Sequence, residues 1–384
     1  MAGGEQASIL DAMKDQWTSM VGMAGMFIAT ILIGLSIQPV YDIPEARAFG
    51  EAGASKGGFI ALELMMIGIF TVAIIWLARK GIDWLIKGIV LFALWMSMFY
   101  AVQPYAALLL IILGMESFAT VAATSFMVSA GSIYLLHIFP EWYVVNGVGI
   151  MVGAGVVTMI GVSFVPVLII LFMIAAAIYD HWAVNGSKHM LELADTMIDL
   201  KLPVLLVAPK SSDYSFLDEG DRVMRDDPPE NSPMDWDDPV PNVAVGKDKP
   251  KGREALFMGL GDVIFPGMLV ISSVSFLPET GSELTYVFGT MYTGPLAVGL
   301  GTLVGGLMGY LALMTQVARG KPQAGLPLLY GGSILGYLVS GYFALGIDQL
   351  WQDITFLCPI SPDSLKVSNP ALGLDSHAGH RHVP

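Results

Sequence analysis

The chain has 384 residues, of which 54% are hydrophobic and only 14% are charged. Soluble domains carry about 25% charged residues, so this composition excludes an ordinary soluble protein and indicates a polytopic protein in a lipid bilayer. The formal net charge of −14 also argues against a nucleic-acid partner.

Nine apolar stretches are long enough, at about 20 residues, to cross a bilayer as helices. In chain order they are residues 20–39, 57–78, 83–103, 117–138, 142–161, 163–184, 255–277, 287–315 and 325–346. Apolar sequence continues past Pro104, so the third helix is either kinked and long or followed by a half-span. The pattern predicts an all-α polytopic membrane protein with nine transmembrane helices.

The spans divide the chain into four parts. Residues 1–200 form an N-terminal membrane part with six spans, and residues 255–346 form a C-terminal membrane part with three. Residues 201–254 are rich in proline and acidic side chains and are predicted to be a solvated cytoplasmic loop. Residues 347–384 form a polar tail.

Lys and Arg in short loops predict the orientation, because they are enriched on the cytoplasmic side of a membrane. The basic residues around positions 80 and 320 lie on the same side as the N-terminus, whereas Arg47 and Lys56 are exceptions. We therefore expect the N-terminus to be cytoplasmic and the C-terminal tail to be external.

Two aspartates interrupt the apolar spans. Asp180 lies near the end of the sixth span, and Asp262 lies in the seventh as Gly259-Leu260-Gly261-Asp262. A carboxylate within a membrane helix costs about 2.5 to 3.5 kcal/mol, so a function is expected to require both. At 1.5 Å of rise per helical residue, both lie roughly 12 to 14 Å below the same membrane face. Two antiparallel neighbouring helices can therefore bring the carboxyls face to face.

Two facing carboxyls in a low-dielectric site share one proton, because ionising both is unfavourable. The pair then offers a base and an acid at the same pH. Aspartic proteases use such a pair, one carboxylate taking a proton from the attacking water and the other protonating the leaving amide. Paired membrane acids also relay protons or bind cations in transporters and channels. A proton- or cation-conducting transporter or channel is thus an alternative, and a prepilin-type peptidase with Gly-x-Gly-Asp chemistry is another.

Four short strings carry a family resemblance: Tyr179-Asp180, Gly259-Leu260-Gly261-Asp262, Glu141-Trp142-Tyr143-Val144-Val145-Asn146 and Lys188-His189-Met190-Leu191. With the nine spans, they resemble the presenilin and signal peptide peptidase group, and the last two resemble its archaeal presenilin homologues. The resemblance favours the protease over both alternatives.

The resemblance implies a presenilin-like fold and an intramembrane aspartic endopeptidase of the GxGD type. Asp180 and Asp262 would be its catalytic pair, with no metal and no organic cofactor. Its substrates would be single-pass transmembrane helices or signal-peptide remnants, and its location would be the cell membrane of a prokaryote. The sequence indicates no obligatory partner subunit.

The third motif of the group, Pro-Ala-Leu before the last span, occurs literally as Pro370-Ala371-Leu372. That copy lies in the polar tail with no span after it. The positional match is Ala324-Gly325-Leu326-Pro327, directly before the last span. The resemblance implies substrate contacts for eight residues: Tyr179, Gly259, Leu260, Gly261, Ala324, Gly325, Leu326 and Pro327.

Cleavage within a membrane requires local unwinding of the substrate, because a transmembrane helix holds its carbonyls in internal hydrogen bonds. Adding the unwound segment as a strand to a sheet edge gives its backbone new partners. Leu202–Ala208 is a short apolar run, and together with Gly325-Leu326 it is predicted to supply that edge.

Overall fold

The computed structural model describes residues 16–47, 82–115, 117–182, 205–210, 255–317 and 325–352, together with scattered positions between 62 and 80. Within these residues the chain is mostly helical. Its elements are α1 (Trp17–Tyr41), α2 (Asp83–Ile112), α3 (Phe118–Ile138), α4 (Trp142–Gly161), α5 (Pro166–Trp182), β1 (Leu205–Pro209), β2 (Ala255–Gly259), α6 (Leu260–Phe276), β3 (Glu283–Tyr286), β4 (Gly289–Tyr292), α7 (Thr293–Val317), α8 (Leu326–Ala344) and a 3₁₀ turn (Ile347–Gln349).

The helices follow the predicted spans closely in place but do not confirm their number. Eight α-helices lie within the described residues, and the predicted span 57–78 falls mostly outside them. Six of the eight are long and apolar enough to cross a membrane, whereas α5 and α6 are shorter apolar helices. The third predicted span is one 30-residue helix with Pro104 inside it, so no separate half-span follows.

A two-stranded sheet replaces the first part of the predicted seventh helix. β1 pairs antiparallel with β2, with Leu205 opposite Gly259 and Pro209 opposite Ala255. The prediction of helix from residue 255 and the all-α prediction are both wrong here. The reason is that a short apolar run has no period that separates a strand from a buried helix, and Leu205–Pro209 supplies the ladder partner.

A second small sheet replaces the start of the predicted eighth helix. β3 and β4 form a hairpin in which Tyr286 lies opposite Gly289, and α7 begins only at Thr293. Gly289 has a φ of 150°, which an L side chain rarely adopts. The Tyr286 hydroxyl donates to the Ser36 carbonyl at 2.8 Å, which fixes the hairpin against the end of α1.

Helices α7 and α8 pack backbone to backbone through glycines. A Cβ on Gly305 would meet the carbonyl oxygen of Gly332, and a Cβ on Gly332 would meet that of Gly305. One turn further along, a Cβ on Gly336 would meet the carbonyl oxygen of Gly301, and a Cβ on Gly301 would meet the Ser340 side chain. Small residues permit this close approach in membrane helices, and here it sets the position of α8.

A polar cluster joins the end of α1 to the end of α6. The Gln38 amide donates to Asp42 at 2.7 Å and to the Ser275 hydroxyl at 2.9 Å. Arg47 forms a salt bridge with Asp42 at 3.1 Å and lies over the Phe276 ring, 4.9 Å from its centroid. This cluster anchors the C-terminal end of α6 to α1.

Candidate active site

Asp180 is a buried carboxylate on a helix whose neighbouring positions face outward. It is only 6% exposed, whereas Ile178 and Tyr179 are 66% and 60% exposed. At 3.6 residues per turn, adjacent positions of a helix point in different directions, which separates Asp180 from Tyr179. The structure therefore places the predicted substrate contact Tyr179 on the outer surface of the bundle, beside a buried acid.

Asp262 is the third residue of α6, whose N-cap is Gly259. The backbone N–H of Gly259 donates a hydrogen bond to the Asp262 carboxylate. An acidic side chain at the third helical position commonly reaches back to the N-cap in this way, and the positive end of the helix dipole also favours a negative charge there. The depth expected for Asp262 assumed helix from residue 255, and that assumption is wrong, because the extended strand β2 leads to Asp262.

The two aspartates belong to packed neighbouring helices. α5 contacts α6, and the charges of Asp180 and Asp262 lie close enough to act on each other. The ring centroids of Phe172 on α5 and Phe265 on α6 are 5.1 Å apart, which fixes the two helices side by side. The structure therefore brings the two predicted catalytic residues together at one site.

The residues of the predicted third motif begin α8. Gly325 is the N-cap of α8, and Pro327 lies in its first turn, where a fixed φ suits a helix start. A Cβ on Gly325 would come within 3.2 Å of Leu313 on α7, which leaves little room for the alanine that the motif usually has. Leu326 packs against the apolar core. Ala324 and Pro370-Ala371-Leu372 lie outside the described residues.

Helix α8 contacts both α5 and α6, and the charges of both aspartates act on Tyr330 near its start. The Tyr330 ring lies 5.3 Å from that of Phe265, centroid to centroid. Phe172, Phe265 and Tyr330 thus form one aromatic contact across the three helices that carry the candidate site.

One face of α4 holds β1 and the first residue of α6. The Asn146 amide donates to the Val207 carbonyl at 2.7 Å and accepts from the Val207 N–H at 2.8 Å. One turn further, a Cβ on Gly149 would meet Leu206 at 3.1 Å, and one turn beyond that, a Cβ on Gly153 would meet Leu260 at 3.1 Å. Asn146, Gly149 and Gly153 therefore dock β1 and the first residue of α6.

The two glycines before Asp262 differ in their surroundings. A Cβ on Gly259 would lie 3.5 Å from Asp262 Oδ2, whereas a Cβ on Gly261 would have no atom within 4 Å. Gly259 has an ordinary extended backbone with a φ of −62°. Neither glycine shows a conformational need for the missing side chain, so an open approach to Asp262 explains both better.

Sequence reasoning missed that Asn146 holds β1 and that Tyr330 lies beside the candidate site. Asn146 had a visible signal, a carboxamide within an apolar span, although nothing in the sequence shows that Val207 is its partner. Tyr330 had no such signal, because a tyrosine in an apolar helix most often serves only to pack the core. Among the described residues, no three His, Cys, Asp or Glu side chains form a group that could hold a metal ion.

Comparisons with known proteins identify the family. The model of the family described as signal-peptide peptidase, presenilin aspartyl protease matches residues 23–347. A comparison with curated proteins gives no match. The structure resembles a presenilin family intramembrane aspartate protease solved in space group C222, with 27% identity and a TM-score of 0.55 over 85% of this chain and 99% of that one. The corresponding P2 structure gives 26% identity and a TM-score of 0.54 over 86% and 100%.

The chain belongs to the signal-peptide peptidase and presenilin family of aspartyl proteases. This confirms the resemblance drawn from the sequence. The protein is an intramembrane aspartate protease, and the transporter or channel alternative is not favoured.

Proposed function

We propose that Asp180 and Asp262 are the catalytic pair and that they hydrolyse peptide bonds within transmembrane helices. The proposal rests on one observation, that two carboxylates from adjacent helices lie close enough for their charges to act on each other. One carboxylate accepts a proton from water as the water oxygen bonds to the substrate carbonyl carbon. The other carboxyl gives its proton to the amide nitrogen as the C–N bond breaks.

The test is cleavage of a single-pass helix in liposomes by the purified chain, beside Asp180→Asn and Asp262→Asn, with products sized by mass spectrometry. We expect cuts inside the apolar span that disappear in both variants. Each substitution keeps the shape of the side chain, and circular dichroism checks that each variant folds. If either variant cleaved like the wild type, the assignment of that residue would be wrong. Loss of a proton or cation flux instead of cleavage would favour the transporter.

The β1–β2 sheet, next to Asp262, is the place where we propose that the unwound substrate adds as a strand. Asn146 bonds both the N–H and the C=O of Val207, so these groups point away from β2. Val207 lies opposite Phe257 in the ladder, and the two form a non-hydrogen-bonded pair. In such a pair, the N–H and C=O of each residue point away from the other strand. The backbone groups of Phe257 and Gly259 therefore point away from β1, toward the outer edge of β2, where the Gly259 N–H already bonds Asp262.

This geometry changes the edge expected from the sequence. Leu205–Pro209 is a strand, as the apolar run suggested, but it pairs with β2, and Asn146 covers its other edge at Val207. We propose that β1 supports β2 and that β2 receives the substrate.

A substrate with a ¹³C-labelled carbonyl at the cut site tests the addition, because a carbonyl in a strand absorbs at a different infrared frequency from one in a helix. We expect the strand frequency when this substrate binds the inactive Asp262→Asn variant. A helix frequency for the bound substrate would contradict addition to the sheet.

Of the remaining predicted contacts, Leu260 and Gly261 begin α6, and Gly325, Leu326 and Pro327 lie at the start of α8. We propose that they bound the substrate backbone at the cut, with Tyr179 and Ala324 at its margins. Leu326→Asp is expected to abolish cleavage, whereas Leu372→Asp in the tail should leave it intact.

We also propose the prokaryotic cell membrane, the cytoplasmic N-terminus and the four-part organisation read from the sequence. Substrates would be single-pass proteins or signal-peptide remnants.

A further inference from the structure

Three tyrosines, Tyr310, Tyr330 and Tyr337, are completely buried, each 1% exposed. The Tyr310 hydroxyl donates to the Met20 carbonyl at 3.0 Å, and the Tyr337 hydroxyl donates to the Leu350 carbonyl at 3.1 Å. The Tyr330 hydroxyl is also buried but has no hydrogen-bond partner among the described residues. Buried hydroxyls are normally hydrogen-bonded, so this exception requires an explanation.

The surroundings of Tyr330 place its hydroxyl at the site. Its ring contacts Phe265, which lies three residues after Asp262 on α6. The charges of both Asp262 and Asp180 act on the Tyr330 hydroxyl, although it bonds neither carboxylate. A third group that lies between the two carboxyls would therefore also lie beside this hydroxyl.

We propose that the Tyr330 hydroxyl donates a hydrogen bond to the carbonyl oxygen of the peptide bond that is cut. The inference rests on the proposed function of Asp180 and Asp262. Attack by water turns that carbonyl oxygen into an oxyanion, and the apolar bundle offers little water to solvate it. A fixed donor aimed at developing charge lowers the barrier, and Tyr330 keeps its proton throughout.

The donor role explains why the hydroxyl lacks a partner among the described residues. A carbonyl acceptor within the protein, like those of Tyr310 and Tyr337, would compete with the substrate for the single O–H. The ring contact with Phe265 fixes the direction of the O–H without using it, so the group is ready when the substrate arrives.

Tyr330→Phe tests the proposal, because it removes only the hydroxyl and keeps the ring contact. We expect kcat to fall about a hundredfold with KM changed less than about twofold, as for loss of a donor to an oxyanion. A peptide isostere with a hydroxyl on a tetrahedral carbon should bind more weakly to the variant by a similar factor. The thermal midpoint should not fall, because no protein hydrogen bond is lost.

Tyr337→Phe is the matched control, since it removes an equally buried hydroxyl from the same helix. It breaks the bond to Leu350 and should lower the thermal midpoint while leaving kcat near that of the wild type. If Tyr330→Phe retained the wild-type kcat, or lost activity only in proportion to a lower thermal midpoint, the donor role would be refuted.

Asp262→Asn in the same assay separates this inference from the function on which it rests. If Asp262→Asn abolishes cleavage and Tyr330→Phe does not alter kcat, only the role of Tyr330 fails. If Asp262→Asn cleaves normally, the catalytic pair itself fails.

Discussion

At the level of single residues, the candidate site depends on a glycine beside Asp262 as well as on the two aspartates. Gly261 is exposed beside Asp262 and has open space where a Cβ would lie. Nothing among the described residues excludes a side chain there. The approach of a substrate backbone therefore explains a glycine at this position better than packing does.

Gly261→Ala should separate folding from cleavage. Alanine is about 1 kcal/mol more favourable than glycine in a helix, so the free energy of unfolding should stay equal or rise. Cleavage should fall, by roughly tenfold, because the methyl group stands beside the attacked carbonyl. Thermal unfolding and cleavage in liposomes measure the two effects.

Gly131→Ala on α3 is the control for this pair of measurements. Gly131 also has no atom within 4 Å of an added Cβ, but it lies in a helix that carries neither aspartate. It should show the gain in helix stability with unchanged cleavage. If both alanine variants cleaved like the wild type, Gly261 would have no part in admitting the substrate.

Residue patterns in the sequence were sufficient to find both aspartates, because a carboxylate in an apolar span is rare and costly. They could not find Tyr330, because what distinguishes it is that its buried hydroxyl has no hydrogen-bond partner among the described residues. The hydrogen-bond partner of a tyrosine hydroxyl depends on the folded structure, so no sequence pattern could have distinguished Tyr330 from Tyr337.

At the level of elements, α4 is the support of the site although it carries no catalytic residue. Asn146 satisfies both backbone groups of Val207 on the edge of β1 that faces away from β2. Gly149 and Gly153 let Leu206 and Leu260 approach the same face. The position of Asp262 therefore depends on a helix distant in sequence.

Asn146→Ala should loosen β1 and reduce cleavage together. It leaves a buried N–H and a buried C=O without partners, at a cost of about 1 to 3 kcal/mol for each group. Hydrogen exchange of a peptide that contains residues 205–210 should become faster. Ser125→Ala is the control, because that buried hydroxyl bonds only Val121 of its own helix. Unchanged exchange in Asn146→Ala would contradict the support role.

Gly332 and Gly331 offer a matched pair on α8. A methyl group on Gly332 would collide with the Gly305 carbonyl, whereas one on Gly331 would have no atom within 4 Å. Gly332→Ala should destabilise the fold by about 1 to 3 kcal/mol through overpacking and lower cleavage by moving the start of α8. Gly331→Ala should do neither. Equal thermal midpoints of the Gly332→Ala and Gly331→Ala variants would show that the contact between α7 and α8 accommodates a methyl group at no cost.

The strands show where element prediction from sequence reaches its limit. Residues on both sides of Leu260 in the run Ala255–Leu277 are mostly apolar, so hydropathy could not mark the change from strand to helix there. That change depends on the distant Leu205–Pro209, which supplies the ladder partner. The bounds of α4, in contrast, were predicted correctly, because Glu141 and the Ser163 region flank a mostly apolar run of about the length of one span.

At the level of the whole molecule, the proposed orientation places the catalytic pair near the cytoplasmic face and the tail outside. Cys358 is the only cysteine of the chain and lies in that tail. It should therefore react with a membrane-impermeant maleimide in intact cells.

Cys358→Ser is the control that should abolish this labelling. Ser212→Cys in the Cys358→Ser background places the only thiol in the loop between residues 201 and 254, and it should react only after the membrane is permeabilised. The reverse pattern at both positions would invert the orientation, and the catalytic pair would then lie near the external face.

The register of β1 and β2 has a consequence for the long connection between them. Pro209 lies opposite Ala255, so the connection leaves and re-enters the fold at neighbouring points. Its length then affects the fold mainly through the entropy of closing a loop, and each doubling costs only about 0.6 kcal/mol. The number of residues between the two strands is therefore nearly free to vary, and a short turn could replace them without moving Asp262.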